Sequence, residues 1–267
     1  MTVVATRARL DAELVRRGLA ASRRQAAEYI AAGRVTVDGM PAAKPATVVG
    51  RDTPIEVAAA GEREWASRGA HKLIGALDAF EVSPAGLRCL DAGASTGGFT
   101  DVLLDRGAAE VVAADVGYGL LAWRLRTDER VRVHDRTNVR TLRPEDIGGV
   151  VDLTVADLSF ISLRTVLPAL LACTAPAGAL LPMVKPQFEV GRARLPKGGV
   201  VRDPELRLSA LTDVANTARE LGLAVRAAVA SPLPGPSGNV EYFLHLDRTG
   251  PDAGDEVLAT AVAEGPA

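Results

Sequence analysis

The chain uses arginine almost wherever it needs a cation: of its 31 basic residues only Lys44, Lys72, Lys185 and Lys197 are lysine. Arginine keeps its proton in any protein environment, whereas a lysine can release one, so a retained lysine is a candidate for proton chemistry. Chance alone can explain one or two of the four. Lys185 is the sharpest case, because it ends the apolar run before Pro186-Gln187-Phe188-Glu189, where a charge is expensive to bury. A rim lysine whose stem snorkels along apolar surface is the plain alternative. Carboxylates sit in comparable places. Asp157 follows an apolar run in Ala156-Asp157-Leu158-Ser159-Phe160, and Glu241 opens Val240-Glu241-Tyr242-Phe243. If these runs are strands of one sheet, Lys72, Asp157, Lys185 and Glu241 meet at one edge of it, with Glu241 entering an edge strand.

A second constellation is Asp91-Ala92-Gly93-Ala94-Ser95-Thr96-Gly97-Gly98-Phe99-Thr100, placed after one apolar run and before another. Glycines in a strand-to-helix turn let a ligand approach the backbone, and the helix start offers free N–H groups. The G-x-G-x-x-G dinucleotide fingerprint is broken, since Ser95 stands at its second glycine. Asp91 would repel a pyrophosphate and suits a cationic or zwitterionic ligand such as S-adenosylmethionine. A tight turn with no ligand is the alternative. The candidate contacts are Asp91, Gly93, Ala94, Ser95, Gly97, Gly98 and Phe99. Asp115 lies 22 residues past Gly93, close to the roughly 20-residue spacing at which an acid reaches a ribose diol; Val116 follows it. Asn138, after the next apolar run, is a candidate for the adenine end.

These groups converge only if the chain between them forms adjacent strands. The pattern alternates accordingly: strand 87–93, helix 97–107, strand 109–117, short strand 131–135, strand 151–159, helix 163–173, strand 178–186, long helix 204–222, then strands 223–231 and 239–246. A helix over 71–80, capped by Ser67, precedes them. Such alternation argues for a mostly parallel sheet with helices on both faces. The last two strands are too close in sequence for a crossover helix and should pair antiparallel. Residues 1–44 differ, with eight basic and four acidic residues, although the whole chain nets −2. Two short helices and several short strands make residues 1–60 a small α+β module. Ser22 and Gly33 bound its second helix, and Asp38-Gly39 forms a turn. Residues 61–66 read as a linker, 67–248 as the body and 249–267 as a flexible tail.

Apolar residues make up 48% and charged residues 24% of the chain, an ordinary globular composition that can bury a sizeable core and needs neither disorder nor a disulfide scaffold. Cys89 and Cys173 have no partners at zinc-ligand spacing, so no metal site is expected. No apolar run reaches the roughly 18 residues of a membrane span, and the start lacks a secretory core. A cytoplasmic protein with no membrane partner is expected.

SRGAHKL, LDAGASTGGFT, ADVGYG, VADLSFISL, VKPQFE, KGGVVRD and GPSGNVEYF follow one another through the chain. In order and spacing the sequence resembles the TlyA (haemolysin A) family of ribosomal RNA methyltransferases. Its N-terminal SRRQAAEYIAAGRVTVDG is similar to the RNA-binding domain named after ribosomal protein S-four, and its body to FtsJ-like 2′-O-methyltransferases. The resemblance implies a Rossmann-like class I methyltransferase sheet and a catalytic Lys72–Asp157–Lys185–Glu241 tetrad. It also implies transfer of a methyl group from S-adenosylmethionine to the 2′-hydroxyl of cytidines in ribosomal RNA of one or both subunits. Lys185 then accepts the hydroxyl proton or polarises the oxygen, Asp157 sits near the methyl group, and Lys72 and Glu241 orient Lys185 and the ribose. Ribosomal RNA is the expected partner, with no obligate protein partner evident. Arg7, Arg9, Arg23, Arg24 and Arg68 are the expected phosphate contacts, since arginine favours bidentate phosphate binding. Rival readings are a nicotinamide-dependent oxidoreductase, which Ser95 disfavours, and an RNA-binding assembly factor with a vestigial cofactor fold, which the complete tetrad disfavours. Nothing in the chain reads as a pore-forming segment.

Overall fold

A computed structural model describes residues 7–31, 33–42, 44–58, 64–235 and 237–265. The chain divides into two compact units, Met1–Glu64 and Trp65–Ala267. Residues 61–63 of the expected linker lie outside the described residues, as do 266 and 267 of the expected tail.

The first unit is made of β1 (Arg7–Arg9), α1 (Leu10–Arg16), α2 (Arg23–Ala31), β2 (Val35–Val37), β3 (Met40–Pro41), β4 (Val48–Gly50) and β5 (Ile55–Val57). β1 pairs with β4, and β2 pairs with both β3 and β5, all antiparallel. α2 starts where the Ser22 hydroxyl accepts the Gln25 N–H (3.2 Å), and ends at Gly33 in the left-handed region (φ +69°). Asp38 (φ 51°) and Gly39 (φ 75°) are both left-handed, the backbone of a type I′ hairpin turn between β2 and β3. The core is small: Leu10, Leu14, Ala26, Ile30, Val35, Val49 and Ile55 are its main members.

The second unit runs through α3 (Gly69–Phe80), β6 (Arg88–Ala92), α4 (Gly98–Asp105), β7 (Glu110–Ala114), α5 (Trp123–Arg126), β8 (Val131–His134), β9 (Val151–Ala156) and α6 (Leu163–Cys173). It continues with β10 (Thr174–Val184), α7 (Pro186–Glu189), α8 (Pro204–Glu220), β11 (Ala224–Ala230), β12 (Tyr242–Asp247) and α9 (Glu256–Glu264). Its seven strands lie in the order β11-β12-β10-β9-β6-β7-β8. The β10-β9-β6-β7-β8 neighbours are parallel, and β12 runs antiparallel to both β10 and β11. Alternate side chains enter two apolar layers. Leu90, Val112 and Ala114 join α6, α8 and α9 on one face, while Cys89, Val111 and Ala113 join α3 and α4 on the other. α3 starts at Gly69; the Ser67 hydroxyl accepts the Gly69 N–H (3.2 Å), with Arg68 in the capping position.

Two expectations are overturned. The strand opened by Glu241 is interior, because β12 inserts between β10 and β11, and β11 forms the edge. Residues 249–265 are not a frayed tail: α9 buries Leu258, Ala261 and Val262. Arg219 holds the approach to that helix through Asp252 (2.9 Å) and Asp255 (2.8 Å). The segment is short, alanine-rich and acidic, so its three apolar anchors at helical spacing do not stand out in sequence. Leu258→Ala should lower unfolding stability by about 2–5 kcal/mol, the range for a buried leucine. Urea unfolding of the full chain checks this, and an unchanged midpoint would return the segment to a frayed tail.

Candidate active site

The strand order brings three distant segments to one place. β9 and β10 are parallel neighbours, with Ala156 opposite Pro182, so Asp157 and Lys185 both leave the sheet at its carboxyl end. β12 is antiparallel and therefore begins where β10 ends. Val184 faces Tyr242, and continuing that register by one residue sets Lys185 against Glu241. Lys72 comes from the first turn of α3. The result is two ion pairs: Lys72 Nζ to Glu241 Oε2 at 2.5 Å and Lys185 Nζ to Asp157 Oδ1 at 2.5 Å. Lys185 Nζ also donates to the Ser159 hydroxyl (3.1 Å). Lys72 and Lys185 are each 8% exposed and Glu241 1%, and such buried charges persist only when paired. Gly235 passes so close that a Cβ there would lie 2.6 Å from Glu241 Oε1, so a larger residue would have to displace the Glu241 carboxylate.

The glycine-rich turn packs directly on this cluster. Gly93 has φ +91°, and a Cβ on it would collide with the carbonyl oxygen of Asp157. Its N–H and that of Ala94 donate to Ala114 O, and the Ser95 N–H donates to Asp115 Oδ2 (2.8 Å). These three amides are therefore used within the fold, which leaves the helix start to offer free donors. The amides of Gly98 and Phe99, the first two residues of α4, precede the point at which helical bonding begins. Gly97 and Asp91 do not reach the cavity. A Cβ on Gly97 (φ +100°) would collide with Leu125 and Leu121, so its glycine serves internal packing. Asp91 is fully buried and holds the start of α4 from beneath: Oδ2 accepts the Thr100 N–H (2.8 Å) and hydroxyl (2.7 Å). Its Oδ1 has no hydrogen-bond partner. Burial pushes the Asp91 carboxyl up to about 7.

A cavity of about 600 Å³ lies over the turn, lined by Arg68, Lys72, Gly93, Ala94, Ser95, Gly98, Phe99, Asp157, Ser159 and Lys185 among others. A second cavity of about 770 Å³ shares Ser159 and Lys185 with it and adds Phe160, Gln187, Phe188, Ser237, Asn239 and Glu241. Lys185 thus stands on the wall between the two. Phe160 is 91% exposed, sits in the left-handed region (φ 63°), and its ring centre is 5.3 Å from that of Phe188. A bulky residue at positive φ with its ring in solvent is costly twice over.

The remaining candidates divide. Asp115 is half-buried, its Oδ1 accepting the Gly117 N–H (2.7 Å) and its Oδ2 the Ser95 N–H. Val116 is exposed. Asn138 is exposed and caps a short turn, its Oδ1 accepting the Arg140 N–H (3.1 Å). In the first unit Arg9 and Arg23 both bind Asp11 (2.9 Å each) and Arg24 pairs with Glu28 (3.2 Å). Arg7 is exposed with no ion pair among the described residues. Sequence reasoning passed over Ser159, Phe160, Gln187 and Phe188 as site residues. The usable signal was an aromatic placed three residues beyond a strand-end carboxylate. Among the described residues no acidic, histidine or cysteine cluster could hold a metal ion, and no helix is long and apolar enough to cross a membrane.

The profile of the FtsJ-like methyltransferases matches residues 65–248, and that of the S4 domain matches residues 8–55. The fold is accordingly that of a methyltransferase with an S4 domain at its N-terminus. The 16S/23S rRNA (cytidine-2′-O)-methyltransferase TlyA of Mycobacterium tuberculosis is 62% identical over 98% of this chain and 100% of its own length. Hemolysin A of Brachyspira hyodysenteriae is 35% identical over 89% of this chain and 99% of its own. A solved structure from Streptococcus thermophilus superimposes with a TM-score of 0.75 at 36% identity, covering 98% of this chain and 96% of that one. The chain belongs to the TlyA family of FtsJ-like methyltransferases.

The buried Asp91 gives a signed prediction. Its folded pKa lies above the unfolded value of 3.8, so the native state holds a proton that the unfolded chain has lost. That difference lowers stability as pH rises from about 4 to about 7, on the order of a few kcal/mol. Asp91→Asn removes it, so the stability gained by the variant over the wild type should grow across that window and then level. Thermal or urea unfolding of both proteins at successive pH values checks this; a constant difference would mean that Asp91 is ionised in the native state.

Proposed function

We propose that this chain transfers a methyl group from S-adenosylmethionine to the ribose 2′-hydroxyl of a cytidine in ribosomal RNA. The observation that carries the reading is Lys185 on the wall between two cavities, hydrogen-bonded to Asp157 and Ser159. The cytidine and the ribosomal RNA rest on the relatives, whose names state that substrate.

The residues over the first cavity suit the donor. Its volume of about 600 Å³ is in the range of cofactor sites. The amides of Gly98 and Phe99 stand at the start of α4 ahead of its first helical hydrogen bonds, and Asp91 supports that helix start from beneath through Thr100. Asp115 does not line this cavity but holds the amide of Ser95, which does, and that of Gly117, and it keeps lone pairs for a ribose diol. When bound there, S-adenosylmethionine supplies a methyl group already activated by its sulfonium. The protein's own task is placement and proton handling. Well-oriented groups contribute about 7–11 kcal/mol in favourable cases. Lys185 Nζ takes the hydroxyl proton as the neutral amine, after its own proton has passed to Asp157 Oδ1, 2.5 Å away, or to solvent. The Lys72–Glu241 pair closes the far side of Lys185 and fixes the ribose end. Phe160 and Phe188 offer an aromatic face to the base of the target nucleotide, as in single-strand recognition. The S4 domain brings the chain to RNA.

Asp115→Ala should weaken binding of S-adenosylmethionine while the fold is kept; calorimetry showing unchanged affinity would remove Asp115 from the donor site. Lys185→Arg keeps the charge but removes the titratable proton. Loss of a general base typically costs about 10²–10⁴-fold in rate. Single-turnover methylation should fall by that order in Lys185→Arg, nearly as far as in Lys185→Ala, with RNA affinity largely kept. A near-normal rate in the arginine variant would reduce Lys185 to a positive charge and send the proton elsewhere.

A further inference from the structure

The cations of the second unit are mostly committed. Arg88 pairs with Glu110, Arg106 with Asp78, Arg126 with Asp135, Arg130 with Asp128 and Arg226 with Asp247. Arg68, Arg140 and Arg248 stand exposed as isolated exceptions without an ion pair among the described residues, and one stretch gathers several such cations together. Residues 191–202, between α7 and α8, hold four basic residues and no acidic one. Three of them, Arg192, Lys197 and Arg202, are exposed and have no hydrogen-bond or ion-pair partner among the described residues. The fourth, Arg194, ties the stretch down by donating to Val190 O (3.0 Å) and the Ser209 hydroxyl (3.2 Å).

The stretch is held at both ends. Val190 and Val201 are buried together with Ala210. The Val201 N–H donates to Asn239 Oδ1 (2.9 Å), Asn239 Nδ2 donates to Gly199 O (2.9 Å), and Arg207 Nε donates to Val201 O (2.9 Å). Gly191, Gly198 and Gly199 take positive φ, with open space where a Cβ would stand. Arg192, Gly198 and Gly199 line the second cavity together with Phe160 and Lys185.

Like charges on an anchored backbone repel one another and gain nothing from within the protein, so this concentration is explained by an external polyanion. We infer that residues 191–202 form a phosphate-binding arm that grips the RNA backbone flanking the nucleotide in the second cavity, through Arg192, Lys197 and Arg202. The inference rests on the RNA-methylating reading above, because that reading puts the target nucleotide beside the arm. Arginine presents a fork matched to phosphate oxygens and lysine a point charge. The second unit therefore carries its own RNA contacts, in addition to those expected of the first.

The test is the salt dependence of ribosomal RNA binding by the full chain. Each phosphate contact adds about 0.7–0.9 to the slope of log affinity against log salt. Replacing Arg192, Lys197 and Arg202 together by alanine should flatten the slope by about 2–3. The affinity lost between 50 and 200 mM salt then shrinks about 20- to 40-fold relative to the wild type. S-adenosylmethionine binding should be unchanged. The charge-retaining set Arg192→Lys, Lys197→Arg and Arg202→Lys should keep the wild-type slope. A wild-type slope in the alanine variant overturns the arm, as does an equal loss in the charge-retaining variant. A wild type that binds RNA with the steep slope but transfers no methyl group would sink the transferase reading and leave the arm standing. The alanine variant methylating with a wild-type slope would sink the arm alone.

Discussion

Four charges meet at the carboxyl end of one sheet as two matched pairs, three of them buried and Asp157 partly exposed, and much of the second unit is arranged to make that matching possible. Removing one member of such a pair leaves an uncompensated buried charge, typically worth 3–5 kcal/mol of destabilisation. The topology supplies the partners. A purely parallel sheet would bring Asp157 and Lys185 together, but it would carry the start of its last strand to the opposite end. Insertion of the antiparallel β12 beside β10 returns Glu241 to the end where Lys185 emerges. α3, packed against α4 across one face, then delivers Lys72 to Glu241. The reversed strand is therefore a requirement of the site as well as a feature of the fold.

The glycine-rich turn transmits the same constraint toward the donor side. Gly93 allows the turn to lie against the Asp157 backbone, so the donor cavity and the Lys185–Asp157 pair share a wall. Asp91 beneath, with Thr100, and Asp115 beside it, with Ser95, lock the turn from two directions. Most of its amides are spent on this rigidity. Lys185 consequently faces both cavities from a fixed position, with the donor side on one hand and the Phe160–Phe188 side on the other. A group placed on that wall can act on an atom reached from both.

Much of this was legible in the sequence, and the misses have physical reasons. Strand–helix alternation located β6 to β12, because buried parallel strands read as short apolar runs between turn signals. Asp157, Lys185 and Glu241 stood out because a lysine or carboxylate at the end of such a run is improbable without a use, and Lys72 because lysine is rare in this arginine-rich chain. Which lysine pairs with which carboxylate was not legible: Lys72 and Glu241 are 169 residues apart, and only the strand order joins them. The interior place of β12 was hidden for the same reason. Asp91 was legible as an acid near the turn but not as one facing inward onto Thr100. Phe160 was invisible because its significance lies in a left-handed backbone that places its ring in solvent. The arginines of the first unit looked equivalent in sequence, yet Asp11 engages two of them, while Lys197 and Arg202, quoted only as part of a motif, stand without partners among the described residues.

The central claim is that the wall carrying Lys185 delivers a methyl group to a ribose oxygen of ribosomal RNA. The direct measurement is to incubate the purified full chain with methyl-labelled S-adenosylmethionine and ribosomal subunits, digest the RNA to nucleosides and identify the labelled product by mass. The account predicts label in 2′-O-methylcytidine with protection of that linkage from alkaline cleavage. Label on a base, or no label in the RNA from a protein that binds both partners, would contradict it.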